Sequence, residues 1–384
     1  MKIAFLTPEY PHWKTGVSGG IGTSIKNLAV GLLAEGCSVQ VLVYGQKEDG
    51  VFDDNGICIQ QIKNIKWKGL SWYFTRKKLE NIINALYSNK EIDLVEAPDW
   101  TGITSFISPK KCPVVIRLNG SDTYFCHLDQ RPVKWINKFH EKRAIQKADA
   151  LLSVSKFTAD TTNKVFGFDQ KFTIIPNCID LIAFRPDTGN NSNADTILYF
   201  GSLIRKKGLL ELPFIFNEVI DKYPKAKLVL VGKDVPDIVS RNPSTWEMMQ
   251  GLFTERALIN VDYIGAVTYQ KIKKYINEAT VCVFPTFAEA LPVSWIEAMA
   301  MQKPIVASNI GWATEVMDDG INGFLVHPTH HLEYANRIIQ LLENVQLQKE
   351  FGMAARKKVT EKFSIAVVAK ESLSFYKKVC LRLH

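Results

Sequence analysis

The sequence predicts an α/β protein built as two Rossmann-like, doubly wound parallel-sheet domains facing a central cleft. Three observations predict it. Short apolar runs of strand length alternate with segments whose apolar residues recur at helical spacing. Residues 186–195 contain no large apolar side chain and break that pattern. Beyond them the same alternation restarts. Where two such sheets meet, ligands gather at the carboxyl ends of the strands.

The elements follow in order. Lys2-Ile-Ala-Phe-Leu-Thr is an apolar run stopped by Pro8, hence a buried first strand. The glycine-rich loop Gly16-Val-Ser-Gly-Gly-Ile-Gly22 leads into a helix over 23–33, with Ile25, Leu28, Ala29, Leu32 and Leu33 on one face. Gly36 ends that helix, and strands follow at 39–44, 92–97, 114–118 and 151–155. After the polar stretch come strands at 196–201, 227–232, 261–265 and 281–285, with a helix from about residue 208. The expected organisation is therefore an N-terminal domain over 1–185, a linker over 186–195 and a C-terminal domain over 196–363. A C-terminal helix over 364–384 completes it, with packing back on the N-terminal domain as one placement for it.

Composition removes several function classes. Of 384 residues 46% are hydrophobic, too many for a disordered chain, yet no apolar run reaches the roughly 18–20 residues that span a bilayer. Lys2 and the short run ahead of Pro8 and Glu9 do not make a signal peptide. Seven cysteines form neither a CxxC pair nor a metal spacing, so they read as reduced thiols in a cytoplasmic protein. The net charge is +8, of which residues 1–185 carry +6 (24 Lys/Arg against 18 Asp/Glu). That excess fits an anionic partner such as phosphate or anionic lipid, with no nucleic acid expected. Charge alone fits a solvated lysine-rich surface equally well.

The chemistry concentrates in Phe284-Pro-Thr-Phe-Ala-Glu-Ala-Leu-Pro-Val-Ser-Trp-Ile-Glu-Ala-Met-Ala-Met301. Pro292 suits the first helical position, and Lys303-Pro304 ends the helix near Gln302. N–H groups around Leu291, Val293 and Ser294 would then open a helix start suited to phosphate. Glu297 is the only charge on that helix and Glu289 lies in the loop before it, both placed to accept from sugar hydroxyls. Gly201-Ser-Leu-Ile-Arg-Lys-Lys-Gly208 adds three cations between two glycines, able to neutralise a diphosphate. The loop 16–22 is not a dinucleotide fingerprint, because position 25 is isoleucine, and no GxxxxGK[ST] occurs.

In this order and spacing the motifs resemble glycosyltransferase family 4, the retaining GT-B group that uses nucleotide sugars. They are Glu289-x7-Glu297-Ala-Met-Ala, Lys303-Pro-Ile-Val-Ala-Ser, and Gly311…Glu315…Asp319-Gly…Asn322-Gly-Phe-Leu-Val. The opening Gly-Gly loop, Ile175-Pro-Asn-Cys-Ile-Asp180 before Phe184-Arg-Pro, the cationic loop and Asp262-Tyr-Ile-Gly-Ala-Val267 extend the likeness over nearly the whole chain. The resemblance implies that Glu297 holds the donor ribose, while Glu289 and the backbone of Leu291, Pro292 and Val293 meet sugar and diphosphate. It implies Lys207 and Ser202 near the phosphates, Val267 at the base edge, and Gly19 and Gly20 over the diphosphate. Lys207, Glu289, Arg205 and Asn119 are the implied catalytic positions, and Asp99, Trp100 and Asp122 the candidate acceptor contacts. Three positions depart from the family: Ser202 stands where arginine is usual, Asn119 where histidine is usual, and Cys178 where glycine is common.

The expected activity is retaining transfer of a sugar from a UDP- or GDP-sugar to a saccharide or lipid-linked saccharide, in polysaccharide or glycoconjugate synthesis. No Asp-x-Asp occurs, so no metal and no cofactor is expected. A nucleotide-sugar 2-epimerase of the same fold and a non-catalytic nucleotide-sugar-binding subunit are the alternatives. Residues 63–78 carry six cations, four aromatics and no acid, which fits peripheral attachment to an anionic membrane surface. A strand and helix with aromatics inward and lysines outward fits the same residues.

Overall fold

Strand β1 (Lys2–Thr7) shows why the first sheet has two buried faces. Its side chains alternate, so Ile3 and Phe5 enter one apolar cluster while Ala4 and Leu6 enter the other. In the computed structural model, which describes residues 1–16, 18–186 and 195–383, the chain divides into two units. One is Met1–Asp180 with Phe363–His384, the other Leu181–Lys362. The passage between them thus falls at Asp180–Leu181, ahead of the 186–195 stretch, of which 187–194 lie outside the described residues.

After β1 the first unit runs through α1 (Gly20–Ala34), β2 (Ser38–Gln46), β3 (Gly50–Asp54), β4 (Ile57–Lys63), α2 (Ser71–Ser88) and β5 (Leu94–Pro98). A 3-10 segment (Trp100–Phe106) leads to β6 (Val114–Leu118), α3 (Asp122–Leu128), α4 (Trp135–Lys147), β7 (Ala150–Ser153), α5 (Lys156–Phe166) and β8 (Thr173–Ile174). The sheet order is β3-β4-β2-β1-β5-β6-β7-β8. Every pair is parallel except β3–β4. That antiparallel edge hairpin is absent from the simple alternation. Its two-residue turn is Asn55-Gly56, both at positive φ (54° and 88°), the combination that a type I′ hairpin needs.

The second unit begins with β9 (Thr196–Phe200), a 3-10 turn (Arg205–Lys207), α6 (Leu212–Lys222), β10 (Lys227–Val231), α7 (Thr245–Gln250) and α8 (Glu255–Leu258). Then come β11 (Val261–Gly265), α9 (Tyr269–Glu278), β12 (Val281–Phe284), α10 (Val293–Ala300) and β13 (Ile305–Ala307). The unit closes with α11 (Ala313–Val316), β14 (Phe324–Leu325), α12 (His331–Glu343) and α13 (Val345–Lys362). Its sheet is parallel throughout, in the order β11-β10-β9-β12-β13-β14.

The last helix, α14 (Ile365–Leu383), belongs to the first unit. Val368, Ala369, Leu373, Tyr376 and Val379 fill the cluster that also takes Leu28, Ala29 and Leu32 of α1. The two helices cross closely at Gly31, where a Cβ would lie 2.6 Å from Ile365 and 2.7 Å from Ala369. A buried ion pair fixes α14 to the sheet. Arg117 of β6 donates to Glu96 of β5 at 2.7 and 3.2 Å, and Tyr376 of α14 donates its hydroxyl to the same carboxylate at 2.6 Å. Arg117 also donates to the Ile175 carbonyl at 3.0 Å.

Removing the cation leaves Glu96 buried and uncompensated, which costs about 3–5 kcal/mol. Arg117→Met should therefore lower urea-unfolding stability by that amount. Much of it should return when Glu96 is replaced by leucine in the same chain. A loss below about 1 kcal/mol for the single variant would show that the pair does not anchor the helix.

Candidate active site

In the second unit the cationic loop and the helix start come together because of one close approach. Gly208 has φ +72°, and a Cβ there would lie 1.7 Å from the Pro285 carbonyl oxygen. No other residue fits, so the 3-10 turn Arg205–Lys207 lies directly on the loop after β12. The N–H of Phe287 donates to the Lys206 carbonyl at 2.8 Å, closing the contact. Lys207 then reaches Glu289, with Nζ 2.8 Å from the carboxylate. Helix formation waits until Leu212, four residues after the glycine at which the sequence placed it.

Pro292 is the N-cap of α10 rather than its first helical residue. The helix start it opens carries N–H groups with no partner one turn earlier within the helix. One turn further on, Glu297 is buried on a helix that carries no other charge. Its Oε1 accepts the Tyr269 hydroxyl at 2.6 Å. Burial pushes the Glu297 carboxyl up to about 7, against smaller opposing effects of the Tyr269 bond and the Lys207 charge. Tyr269 opens α9 directly after the 266–268 loop that holds the half-buried Val267, and its ring lies 5.5 Å from Phe184. Sequence reasoning missed this tyrosine. No motif marks it, because it meets Glu297 only across 28 residues of chain.

Arg205 is placed differently from Lys207. It forks onto buried Asp237, with Nε and Nη2 each donating at 2.8 Å, and this holds the Asp237 carboxyl well below its usual range. Two of its five N–H groups therefore already serve the fold. Ser202 is exposed, and its carbonyl accepts the Tyr199 hydroxyl at 2.9 Å.

In the first unit the glycine loop is shorter than expected: α1 begins at Gly20, with Gly19 as its extended N-cap. Glu9 explains the early start. Its Oε1 accepts the Gly22 N–H at 2.9 Å, so a carboxylate already occupies this helix start. An anion approaching Gly19 and Gly20 meets that charge, a feature that the glycines alone did not reveal.

The remaining candidates line the carboxyl ends of β5 and β6. Asp99 is buried, and its Oδ1 accepts the Asn119 N–H at 2.9 Å while Oδ2 has no hydrogen-bond partner among the described residues. Burial pushes its carboxyl up to about 7, with the Glu141 charge adding to the rise and backbone N–H bonds opposing it. Asp99 therefore positions Asn119 from beneath. Asn119 lines a 20 Å³ cavity, room for one water, with Glu96, Arg117 and Asn177. Trp100 is half-buried at the head of the 3-10 segment, followed by Thr101 at φ 54°. Asp122 opens α3 and accepts the Asn137 amide at 2.9 Å.

Fold and site define a class. Solved structures of the same fold are GT-B glycosyltransferases: sucrose-phosphate synthase from Thermosynechococcus elongatus aligns with TM-score 0.78 over 99% of both chains at 19% identity. HepE of Anabaena, in complex with UDP, aligns with TM-score 0.75 over 98% of this chain and 100% of its own at 19% identity. The chain belongs to the family 4 class of glycosyltransferases: residues 182–358 match the family described as "Glycosyl transferases group 1", and residues 18–182 match "Glycosyltransferase Family 4". An uncharacterised glycosyltransferase of Methanocaldococcus jannaschii is 26% identical over 98% of each chain. Alpha-maltose-1-phosphate synthase of Mycolicibacterium smegmatis is 25% identical over 99% of this chain and all of its own.

The raised Glu297 carboxyl fixes a pH dependence. Its ordinary value of 4.5 applies when the chain unfolds, so between about 4.5 and 7 the folded chain holds more protons. Stability from this group is complete below that window and is lost as pH rises through it. Glu297→Gln keeps an acceptor for Tyr269 and removes the titration. The variant should melt progressively higher than the parent chain as pH goes from 5 to 8, read by circular dichroism. A constant difference across that range would place the proton elsewhere.

Proposed function

We propose that the chain is a retaining glycosyltransferase that moves a sugar from a UDP- or GDP-sugar to a saccharide or lipid-linked saccharide acceptor. The setting we infer is polysaccharide or glycoconjugate synthesis, without a divalent metal. The observation that carries this reading is the pairing of a buried carboxylate with a cation at one helix start: Glu297 on α10 and Lys207 over Glu289. A buried carboxyl that accepts from one tyrosine among the described residues keeps acceptor capacity for ribose hydroxyls. The lysine and the helix start supply positive charge for a diphosphate.

Two similar proteins support it by what their descriptions say. HepE has been solved with UDP-glucose. A Staphylococcus aureus relative is a capsular polysaccharide biosynthesis glycosyltransferase, 26% identical over 46% of this chain.

The chemical demand is departure of an anionic diphosphate from a centre that becomes cationic. Lys207 must leave Glu289, in whole or part, to follow the charge that grows on the leaving phosphate. Glu289 is then freed toward the sugar. The leaving phosphate itself can take the acceptor proton, since no side chain in this group presents an obvious base. The acceptor belongs to the first unit, at Trp100, Asn119 and Asp122, with Asp99 holding the Asn119 backbone. Peripheral attachment through 63–78 would suit a lipid-linked acceptor.

A thermal-shift panel of UDP, GDP and ADP tests the donor site first. The matching nucleotide at about 100-fold its dissociation constant should stabilise by roughly 2.7 kcal/mol. Glu297→Gln removes a hydrogen bond to a charged group, so donor affinity or turnover should fall roughly 10- to 150-fold. Lys207→Ala should lower kcat as well as binding, because the charge it meets grows in the transition state. No shift with any of the three nucleotides would overturn the reading. Donor consumed without acceptor, yielding an epimer, would assign the chain to epimerisation instead.

A further inference from the structure

Residues 63–78 account for only half of an unusual surface on the first unit. Trp67, Leu70 and Trp72 are exposed there, and Trp72 lies 5.3 Å from Phe106 in the 3-10 segment. Phe106 in turn lies 6.3 Å from Phe139 of α4. Phe139, Trp135 and Ile136 are exposed on the first turns of that helix, Trp135 to 76%. Three separate chain segments thus present one connected aromatic face. Single exposed apolar residues need no explanation, but a contiguous group of this size does.

The cations around it fall into two groups. Lys77 pairs with Glu80, Lys78 with Asp49, and buried Arg76 donates to the Gly102 and Ile103 carbonyls, so these serve the fold. Lys66, Lys68, Lys134 and Lys138 are exposed, and none has an acidic partner among the described residues. Helix α4 and its cap carry five cations over 134–147 against one acid, Glu141, which is buried.

We infer that this face, the Trp67–Trp72 turn together with the first turns of α4, docks the protein on an anionic lipid bilayer surface. Indole rings favour the headgroup boundary, and unpaired lysines around them favour anionic headgroups. A second copy fits poorly, because a two-fold contact would bring the same lysines face to face.

The same helix also holds the candidate acceptor loops. Buried Glu141 of α4 accepts the N–H groups of Thr101 at 3.2 Å, Asp122 at 2.9 Å and Thr123 at 3.1 Å. Asn137, two residues after Trp135, donates to Asp122. Gly102 packs so tightly on α4 that a Cβ would lie 2.3 Å from the His140 backbone. Docking at Trp135 and Phe139 therefore places a lipid-borne acceptor beside Trp100 and Asp122. The docking itself stands apart from the transferase reading; the delivery of acceptor rests on it.

Sedimentation with vesicles, without donor or acceptor, tests the docking. The full chain should bind vesicles of equimolar phosphatidylglycerol and phosphatidylcholine, bind pure phosphatidylcholine weakly, and release as salt rises. Lys134→Gln with Lys138→Gln should weaken binding by about tenfold or more. Lys349→Gln with Lys357→Gln, the same charge loss on exposed α13 positions, should not. Trp135→Ser with Phe139→Ser should weaken binding at low salt while leaving the nucleotide thermal shift intact. The inference is overturned by absence of binding, by equal loss in the α13 control, or by full binding in the Trp135/Phe139 variant. It is equally overturned if that variant instead turns a dimer into a monomer in sedimentation velocity. Loss of the nucleotide shift in the parent chain with vesicle binding intact would fault the transferase reading alone.

Discussion

The candidate donor site depends on the contact between Gly208 and the Pro285 carbonyl. It lets the turn after β9 lie on the loop after β12, two neighbouring strands of one parallel sheet. Everything charged at the site follows from it. Lys207 is carried to Glu289, the 287–288 backbone is hydrogen-bonded to Lys206, and the start of α10 opens beside them. A side chain at 208 would lift the cationic turn off the helix start and separate the two halves of the site.

Two buried carboxylates show how the chain spends stability differently in its two units. Glu96 is compensated in full, with a two-bond guanidinium and a phenol, and the result is structural: it locks α14 onto the first sheet. Among the described residues Glu297 accepts from one phenol and feels Lys207 only as a nearby charge, so burial raises its proton affinity. A group that weakens the free protein above neutral pH, on a helix otherwise without charge, is the pattern expected where function outweighs stability.

The parallel sheets were legible because their strands are short apolar runs between glycines and prolines, buried on both faces. The pattern could not show the β3–β4 hairpin, whose edge strand Gly-Val-Phe-Asp-Asp is neither a strand-length apolar run nor a polar–apolar alternation; only Asn55-Gly56 marks it. The passage between units at Asp180–Leu181 is equally silent in sequence, for Ile179 and Leu181 are ordinary apolar residues. At the site, Glu289, Glu297, Lys207 and the helix start are close in sequence or lie in glycine-bounded loops, and these were readable. Tyr269 on Glu297, Glu9 at the start of α1 and Asp237 on Arg205 were not. Each meets its partner through the fold across 13 to 32 residues, with no local pattern to announce it. The aromatic face divides the same way: 63–78 stands out by composition, whereas α4 joins it through the fold, by way of Phe106 and the contact of Trp72 with His140.

The central claim is that the turn 201–208 and the start of α10 hold one nucleoside diphosphate. Hydrogen–deuterium exchange of the intact chain, with and without the nucleotide that gives the largest thermal shift, tests it most directly. Slower exchange is expected in 201–208, in 266–269 and in the first turn of α10 together, with residues 130–147 unchanged. Protection confined to other segments, or protection of α10 without the 201–208 turn, would contradict it.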